Sequence, residues 1–263
     1  STLFPYTTLF RSGRRAVPSA RPAAFGKTLL IPSRGSVILV VKDDGTYDEV
    51  QLPDDGEILS APSFSGDTAA VYEKSFAGSI YLMKNQKIIN ASEPMEIDGI
   101  GFDSPALMES GGFLYTAFIT QSGRFYLFKD GKLEDGFPIE TNGVFYTNVV
   151  SCGSFFFALS EDAEVYRFAL DGTFTTVKIP GASSARQGRI ASVRSASGDA
   201  VYACADENVL YGFMQSLELV PGFPVAGRGV PVIADVNGDK KEDRKSTRLN
   251  SSHGRRYRMP SSA

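Results

Sequence analysis

The sequence predicts an all-β repeat fold of the β-propeller class over residues 27–242. Two residue types recur with the same phase: tyrosines inside apolar triplets at steps of 45, 40 and 45 residues, and prolines at steps of 41, 44, 42 and 44. A period of about 40–45 residues is typical of propeller blades, each of which is a four-stranded antiparallel sheet. The markers are Tyr81, Tyr126, Tyr166 and Tyr211, and Pro53, Pro94, Pro138, Pro180 and Pro224.

A tight turn follows the third strand of each predicted unit. Three of the five turns are Asp-Gly, at Asp44, Asp130 and Asp171, and the others are Asn85-Gln86 and Gln215-Ser216. Asp-Gly predicts a two-residue type I′ hairpin between the third and fourth strands. Because proline has no amide donor, the marker prolines are predicted on the outermost strand of each blade.

Short segments rich in β-branched and aromatic residues lie between these markers, without a sustained 3.6-residue period. They predict about four complete blades, a partial blade before them and one strand of another after Val230, and so an open or incomplete propeller. A β-sandwich, the alternative, would explain neither the shared phase nor the long period. The clearest predicted strands are 104–109, 113–120, 124–128 and 132–140, then 146–151, 155–160, 164–169 and 174–180, with a further unit over 190–225.

Both ends of the chain differ from this repeat. Residues 1–12 (STLFPYTTLFRS) and 243–263, which include KSTRLNSSH, resemble translated sequencing adapters, so we expect them to add nothing to the core. Residues 13–26 are rich in Arg, Pro and Ala and are interpreted as a linker without assigned structure. Residues 27–242 are therefore the predicted propeller.

Charge and composition exclude several functions. Without the seven basic residues of the adapter-like ends, Lys plus Arg falls from 27 to 20 against 29 or 30 acids, a net charge of about −9 to −10. This balance opposes a nucleic-acid partner. The single histidine, His253, lies in the adapter-like end, which excludes histidine-based catalysis and histidine-ligated zinc for residues 27–242. Cys152 and Cys204 are predicted to be buried free thiols, and no apolar run reaches the length of a membrane span.

A metal motif follows the apolar strand 230–234. Asp235, Asn237, Asp239 and Asp243 occupy positions 1, 3, 5 and 9 of one segment, and converging carboxylate and amide oxygens suit calcium. The stretch IADVNGDKKED resembles the calcium loop of FG-GAP and VCBS repeats, the integrin-like propellers, although Lys240 stands where the family usually has glycine. The Gly-Phe-Pro motifs at Gly136 and Gly222, predicted just ahead of the next inner strand, are also similar to that family.

This resemblance implies a non-catalytic interaction or scaffold module outside the cytoplasm, stabilised by calcium and presenting loops to a protein or glycan. The alternative is part of a propeller enzyme or accessory domain, quinoprotein-like or glycan-active, whose site lies in other blades. The acid pairs Asp54-Asp55 and Glu161-Asp162 lie beside turns and are interpreted as solvated, so no catalytic residue is predicted. The tyrosine row is interpreted as packing between blades.

Overall fold

The computed structural model describes residues 17–25, 27–54, 56–74, 78–84, 87–94, 104–193, 198–206, 208–227, 232–234 and 243–245. In these residues every regular element is a β-strand, so none of them forms a helix that could cross a membrane. The chain divides into two compact units, the first containing residues 1–120 and 124–139 and the second residues 121–123 and 140–263.

The first unit contains three consecutive antiparallel sheets, whose strands pair mainly in chain order. The first sheet consists of β1 (Ala23–Phe25), β2 (Thr28–Ser33), β3 (Val37–Val41) and β4 (Tyr47–Gln51). In the second, β5 (Glu57–Ile58) and β6 (Ser63–Ser65) both pair with β7 (Thr68–Lys74), which is followed by β8 (Gly78–Lys84) and β9 (Lys87–Ala91). The third consists of β10 (Ala106–Ser110), β11 (Phe113–Ile119), β12 (Arg124–Lys129) and β13 (Lys132–Leu133).

The short strand β14 (Ile139–Glu140) lies at the boundary between the units, and two four-stranded sheets and a hairpin follow in the second unit. The fourth sheet consists of β15 (Val150–Cys152), β16 (Phe155–Leu159), β17 (Glu164–Phe168) and β18 (Phe174–Lys178). The fifth consists of β19 (Arg189–Val193), β20 (Ala200–Cys204), β21 (Val209–Met214) and β22 (Val225–Ala226). The hairpin consists of β23 (Val232–Ala234) and β24 (Asp243–Lys245).

The predicted all-β propeller fragment is confirmed, with one more complete sheet than expected. The partial first blade is a full sheet because β1 lies inside residues 13–26, the segment interpreted as a linker, and pairs with β2 from Ala23↔Leu30 to Phe25↔Thr28. An edge strand needs backbone donors and acceptors on one side only, so a three-residue strand can form without an apolar period.

The adapter-like segment 243–263, expected to add nothing to the core, contains one described strand. Residues 243–245 form β24, which pairs with β23 in the register Val232↔Lys245, Ile233↔Arg244 and Ala234↔Asp243. Ladder hydrogen bonds use backbone groups that nearly every residue carries. A strand can therefore form whatever the origin of its side chains. Residues 1–12 and 246–263 lie outside the described residues.

The core lies between successive sheets of each unit. Alternate side chains of a strand point to opposite faces. Neighbouring sheets of the first unit cover both faces of β8, and within the second unit a neighbouring sheet covers one face of β16 and one face of β20. These middle strands are buried along almost their whole length, in agreement with their largely apolar sequences without alternation. The largest shared clusters include Ile38, Val71 and Tyr81 between sheets one and two, Tyr72, Phe118 and Tyr126 between sheets two and three, and Phe157, Val201 and Phe213 between sheets four and five.

The two cysteines belong to this packing. Cys152 and Cys204 are free thiols, each 3 % exposed, and both pack in apolar clusters of the second unit. The predicted burial as free thiols is confirmed.

The three Asp-Gly turns join third and fourth strands as predicted, but only one has the predicted conformation. Asp130 and Gly131 both have positive φ, 48° and 81°, as a type I′ turn requires. In the other two turns only the glycine has positive φ, and the loop contains three residues. There the carboxylates of Asp44 and Asp171 accept hydrogen bonds from the backbone N–H and hydroxyl of the threonine two residues later. This Asx interaction stabilises the longer turn.

The marker prolines lie beside the outer strands. Pro53, Pro94 and Pro180 follow β4, β9 and β18, whereas Pro138 and Pro224 immediately precede β14 and β22. Because β22 pairs with β21 of its own sheet, the second Gly-Phe-Pro motif leads into an outer strand, and its predicted place ahead of the next inner strand is wrong.

A hydrogen bond that the sequence does not reveal closes four of the sheets. The residue immediately before the third strand has positive φ, and its carbonyl accepts the backbone N–H of a residue shortly after the outer strand. The bonds are Leu52 to Ser36 (2.9 Å), Thr141 to Gly123 (3.0 Å), Ile179 to Ala163 (2.9 Å) and Gly227 to Asn208 (2.9 Å). Each bond attaches the end of the outer strand to the turn between strands two and three.

We expect Gly123→Ala to destabilise the protein by about 1–3 kcal/mol more than Gly112→Ala. Both glycines have positive φ, 89° and 81°, but a Cβ on Gly123 would lie 2.5 Å from the carbonyl oxygen of Gly143, whereas one on Gly112 meets nothing within 4 Å. Gly112→Ala therefore measures the cost of a side chain at positive φ without a steric clash. Urea denaturation of both variants measures the difference, and equal free energies of unfolding would contradict the proposed steric requirement.

Candidate functional site

The residues predicted to bind calcium lie at the last hairpin. Asp235, Asn237 and Asp239 are outside the described residues, and Asp243 is the first residue of β24. The backbone of Asp243 pairs with that of Ala234, the residue immediately before Asp235. The described register thus brings the ninth position of the motif beside the residue that precedes the first. Among the described residues, no group of three or more His, Cys, Asp or Glu side chains is arranged to hold a metal ion.

Two of the four marker tyrosines, Tyr81 and Tyr211, bind the connection that precedes their sheet. The Tyr81 hydroxyl donates to Oδ2 of Asp54 at 2.5 Å, and the Tyr211 hydroxyl donates to the carbonyl oxygen of Pro180 at 2.5 Å. Asp54 and Pro180 both lie just after the outer strand of the preceding sheet. These contacts agree with the packing role that the sequence predicts for the tyrosines.

One position of the repeat differs between the second sheet and the other four. In each sheet the marker position on the third strand pairs with one residue of the second strand; in the second sheet Tyr81 pairs with Val71. The position that differs lies two residues further along the second strand, and Glu73 occupies it in β7. The other sheets have small side chains there, each at most 4 % exposed: Ser33, Thr120, Ser160 and Ala205. Glu73 is equally buried, at 0 % exposure.

Two of the small residues at this position stabilise the turn that follows by a hydrogen bond. The hydroxyls of Thr120 and Ser160 each accept the backbone N–H of the first residue of the third strand, at 3.2 Å. Neither carboxyl oxygen of Glu73 has a hydrogen-bond partner among the described residues. A larger, charged group therefore replaces a hydroxyl that stabilises the turn.

Glu73 fits its place because residue 56 is a glycine. The carboxyl lies against the Gly56 backbone, where a Cβ would be only 1.2 Å from Oε1 of Glu73. The Ser36 hydroxyl, itself buried, donates to the carbonyl oxygen of Gly56 at 2.6 Å and holds the connection between β4 and β5 in position. Ser79, opposite Glu73 on β8, is 2 % exposed. A carboxyl is thus enclosed by hydroxyls and backbone.

Electrostatics favour the neutral form of this carboxyl. Burial raises the pKa of Glu73 to about 7, and the negative charge of Asp54 adds to the rise. The N–H of Gly56 opposes the rise but does not form a hydrogen bond of normal geometry. Burial and the hydrogen bond to Asp54 also raise the pKa of Tyr81. This cluster can exchange a proton near neutral pH or bind a small cation.

One member of each acid pair named from the sequence, Glu161 and Asp54, makes structural contacts. The Glu161 backbone N–H donates to the Val144 carbonyl at 2.6 Å, and its carbonyl accepts from Ala185 at 2.7 Å, while Asp162 is exposed. Asp54 is half-buried and bonded to Tyr81, so its interpretation as a solvated acid is wrong, because the adjacent sheet covers it. Asp55 lies outside the described residues.

Comparisons with known proteins agree on the fold. No protein-family profile and no characterised protein sequence matches the chain. Among solved structures, BBS1N in complex with ARL6DN is 12 % identical with a TM-score of 0.58 over 78 % of this chain and 66 % of that chain, so the chain spans about two thirds of its length. A catalytically inactive virginiamycin B lyase from Staphylococcus aureus, with quinupristin, is 14 % identical with a TM-score of 0.57 over 89 % of this chain and 86 % of that chain.

The computationally designed protein Ika8 is 15 % identical, with a TM-score of 0.54 over 85 % of this chain and 67 % of that chain. At these identities the likeness shows the fold alone. The fold class is that of β-propeller proteins, a class whose members here include a lyase and a protein crystallised with a partner.

We expect Glu73→Gln to stabilise the protein at pH 8 in the presence of a chelator. The pKa of Glu73 is higher in the folded protein, about 7 against 4.5, so the favourable protonated form is complete below pH 4.5 and lost as the pH rises through 7. A neutral glutamine avoids this loss, which is on the order of 3 kcal/mol, since a difference of one in pKa corresponds to about 1.4 kcal/mol. Urea denaturation at pH 4 and pH 8 should show a gain only at pH 8.

The exposed neighbour Glu57 supplies the control, because Glu57→Gln changes the same net charge without a buried group. Parallel pH dependence in the wild type and in Glu73→Gln would show that the carboxyl is not held in a costly environment.

Proposed function

We propose that the chain is part of a non-catalytic β-propeller binding module that is stabilised by calcium at residues 235–243. The observation that supports this proposal is the register Ala234↔Asp243, in which the ninth position of the motif pairs with the residue that precedes the first in sequence. Calcium takes six to eight oxygen ligands in flexible geometry. The residues that would supply them are Asp235, Asn237, Asp239 and Asp243.

The contacts of the recurrent polar side chains support a binding role over a catalytic one. The polar groups that recur in the described sheets, such as Tyr81, Tyr211, Asp44 and Asp171, are engaged in turns and inter-sheet contacts. Since BBS1N was crystallised with ARL6DN, a protein of this fold can recognise another protein. The partner proposed here is a protein or a glycan on the loops, and the acidic charge excludes nucleic acid.

We also propose a location outside the cytoplasm, in the periplasm or at the cell surface. Calcium sites of extracellular modules have dissociation constants of about 10⁻⁴–10⁻³ M, so they are filled only where calcium is abundant. The resemblance to FG-GAP and VCBS repeats supports the same placement.

We expect calcium to raise the melting temperature and Asp235→Ala to remove the part of the rise that the loop causes. Binding to the folded state alone stabilises it by about 2.7 kcal/mol at a hundredfold excess over the dissociation constant. Calorimetry with calcium and with chelator measures the effect. Asp135→Ala, an exposed acid in another turn, is the control. A calcium-induced rise of the same size in the wild type and in Asp235→Ala would reject the loop as a calcium site.

The second candidate is a propeller enzyme, favoured by the extent of the likeness to virginiamycin B lyase. Incubation of the chain with quinupristin, followed by mass spectrometry, separates the two functions. An unchanged ligand is expected for a binding module, and a cleaved ligand would establish the enzyme.

A further inference from the structure

We propose that Glu73 and Asp54 bind a second hard divalent cation, best matched by calcium, in the buried cluster between the first and second sheets. The site lies where the β4–β5 connection meets the ends of β7 and β8, far along the chain from residues 235–243. Three independent features of the described residues support it.

The first feature is the donor set. Two carboxylates, Glu73 and Asp54, are linked here to three hydroxyls: Tyr81 donates to Asp54, Ser79 pairs with Glu73 across the strands, and Ser36 donates to the carbonyl oxygen of Gly56, whose backbone lies against Glu73. Ser36, Glu73, Ser79 and Tyr81 are each at most 2 % exposed. Oxygen ligands without nitrogen or sulfur select calcium, magnesium or manganese over zinc or copper. An irregular set of carboxylates and hydroxyls suits calcium, because magnesium requires near-ideal octahedral geometry.

The second feature is the charge. Buried Glu73 lies close enough to half-buried Asp54 for the negative charge of Asp54 to raise its pKa, and among the described residues no lysine or arginine forms an ion pair with either of them. A buried charge needs a partner of opposite sign or a metal. A divalent cation would neutralise both groups at once.

The third feature is the departure from the repeat. Four sheets place Ser, Thr or Ala at this position, and a hydroxyl there caps the turn. In the second sheet Glu73 leaves both of its oxygens unpartnered while Gly56 leaves room for them. Protonation would remove the charge of Glu73 but still leave its oxygens without partners, whereas a cation would engage them.

The test uses the full chain and separates this site from the loop. Melting temperatures are measured in chelator and in calcium for the wild type, Asp235→Ala, Glu73→Gln and the double variant, with Glu57→Gln as a matched control. We expect Asp235→Ala to retain a calcium-dependent rise of roughly 5–10 °C at a hundredfold excess over the dissociation constant, and the double variant to lose it. Glu57→Gln should behave as the wild type.

Each outcome is decisive. No calcium-dependent rise in Asp235→Ala, or the same rise in the double variant, overturns the second site. A rise that persists in Glu73→Gln but disappears in the double variant supports the loop as well. A rise abolished by Glu73→Gln alone supports the second site and rejects the loop.

A direct measurement of metal binding complements the melting temperatures. Terbium replaces calcium in oxygen sites, and its luminescence is sensitised by a tyrosine in contact with it. In the Asp235→Ala background we expect Tyr81→Phe to reduce the sensitised signal several-fold, and Tyr126→Phe, at the same position of the next sheet, to leave it unchanged. Equal signals in the two variants would place the terbium elsewhere and contradict the site.

Discussion

Each of the five described sheets with four or more strands depends on burial of the apolar faces of its middle strands. A four-stranded sheet such as β1–β4 has apolar side chains on both sides of β3, including Ile38 and Leu39, and cannot cover both by itself. Within each unit the neighbouring sheet covers one of these faces. The same constraint explains the continuous apolar sequence of the strands and the repetition of the unit, since stability accumulates by nearest-neighbour contacts.

The connections keep the stacked sheets in register. The carbonyl acceptors at Ser36, Gly123, Ala163 and Asn208 hold outer strands against the turn between strands two and three. Tyrosine hydroxyls attach the third strand to the connection from the preceding sheet. Backbone groups that leave the ladder thus find partners, as buried polar groups must. These bonds use most of the recurrent polar side chains for structure, which leaves loops and irregular positions for function.

Glu73 is the irregular position with the greatest chemical consequence. The fold accepts a buried carboxyl beside Asp54 because Gly56 leaves space, and the raised pKa measures how poorly the protein alone stabilises its charge. Natural sequences are locally consistent with their fold, and departures concentrate at functional or strained sites. Under the proposed function, a cation at this place and one at residues 235–243 would both rigidify the binding module.

The sequence by itself determined the all-β repeat, its period, the positions of the Asp-Gly turns and the burial of both cysteines, because these follow from local periodicity and turn chemistry. The extra strand Ala23–Phe25, the three-residue form of the turns at Asp44 and Asp171, and the hydrogen-bond partners of Tyr81 and Tyr211 were decided by the tertiary structure. Glu73 could be recognised as unusual only after the strands of the five sheets were aligned by their pairing registers. Its burial depends on a glycine 17 positions earlier in the chain and on a neighbouring sheet, and no local pattern encodes such contacts.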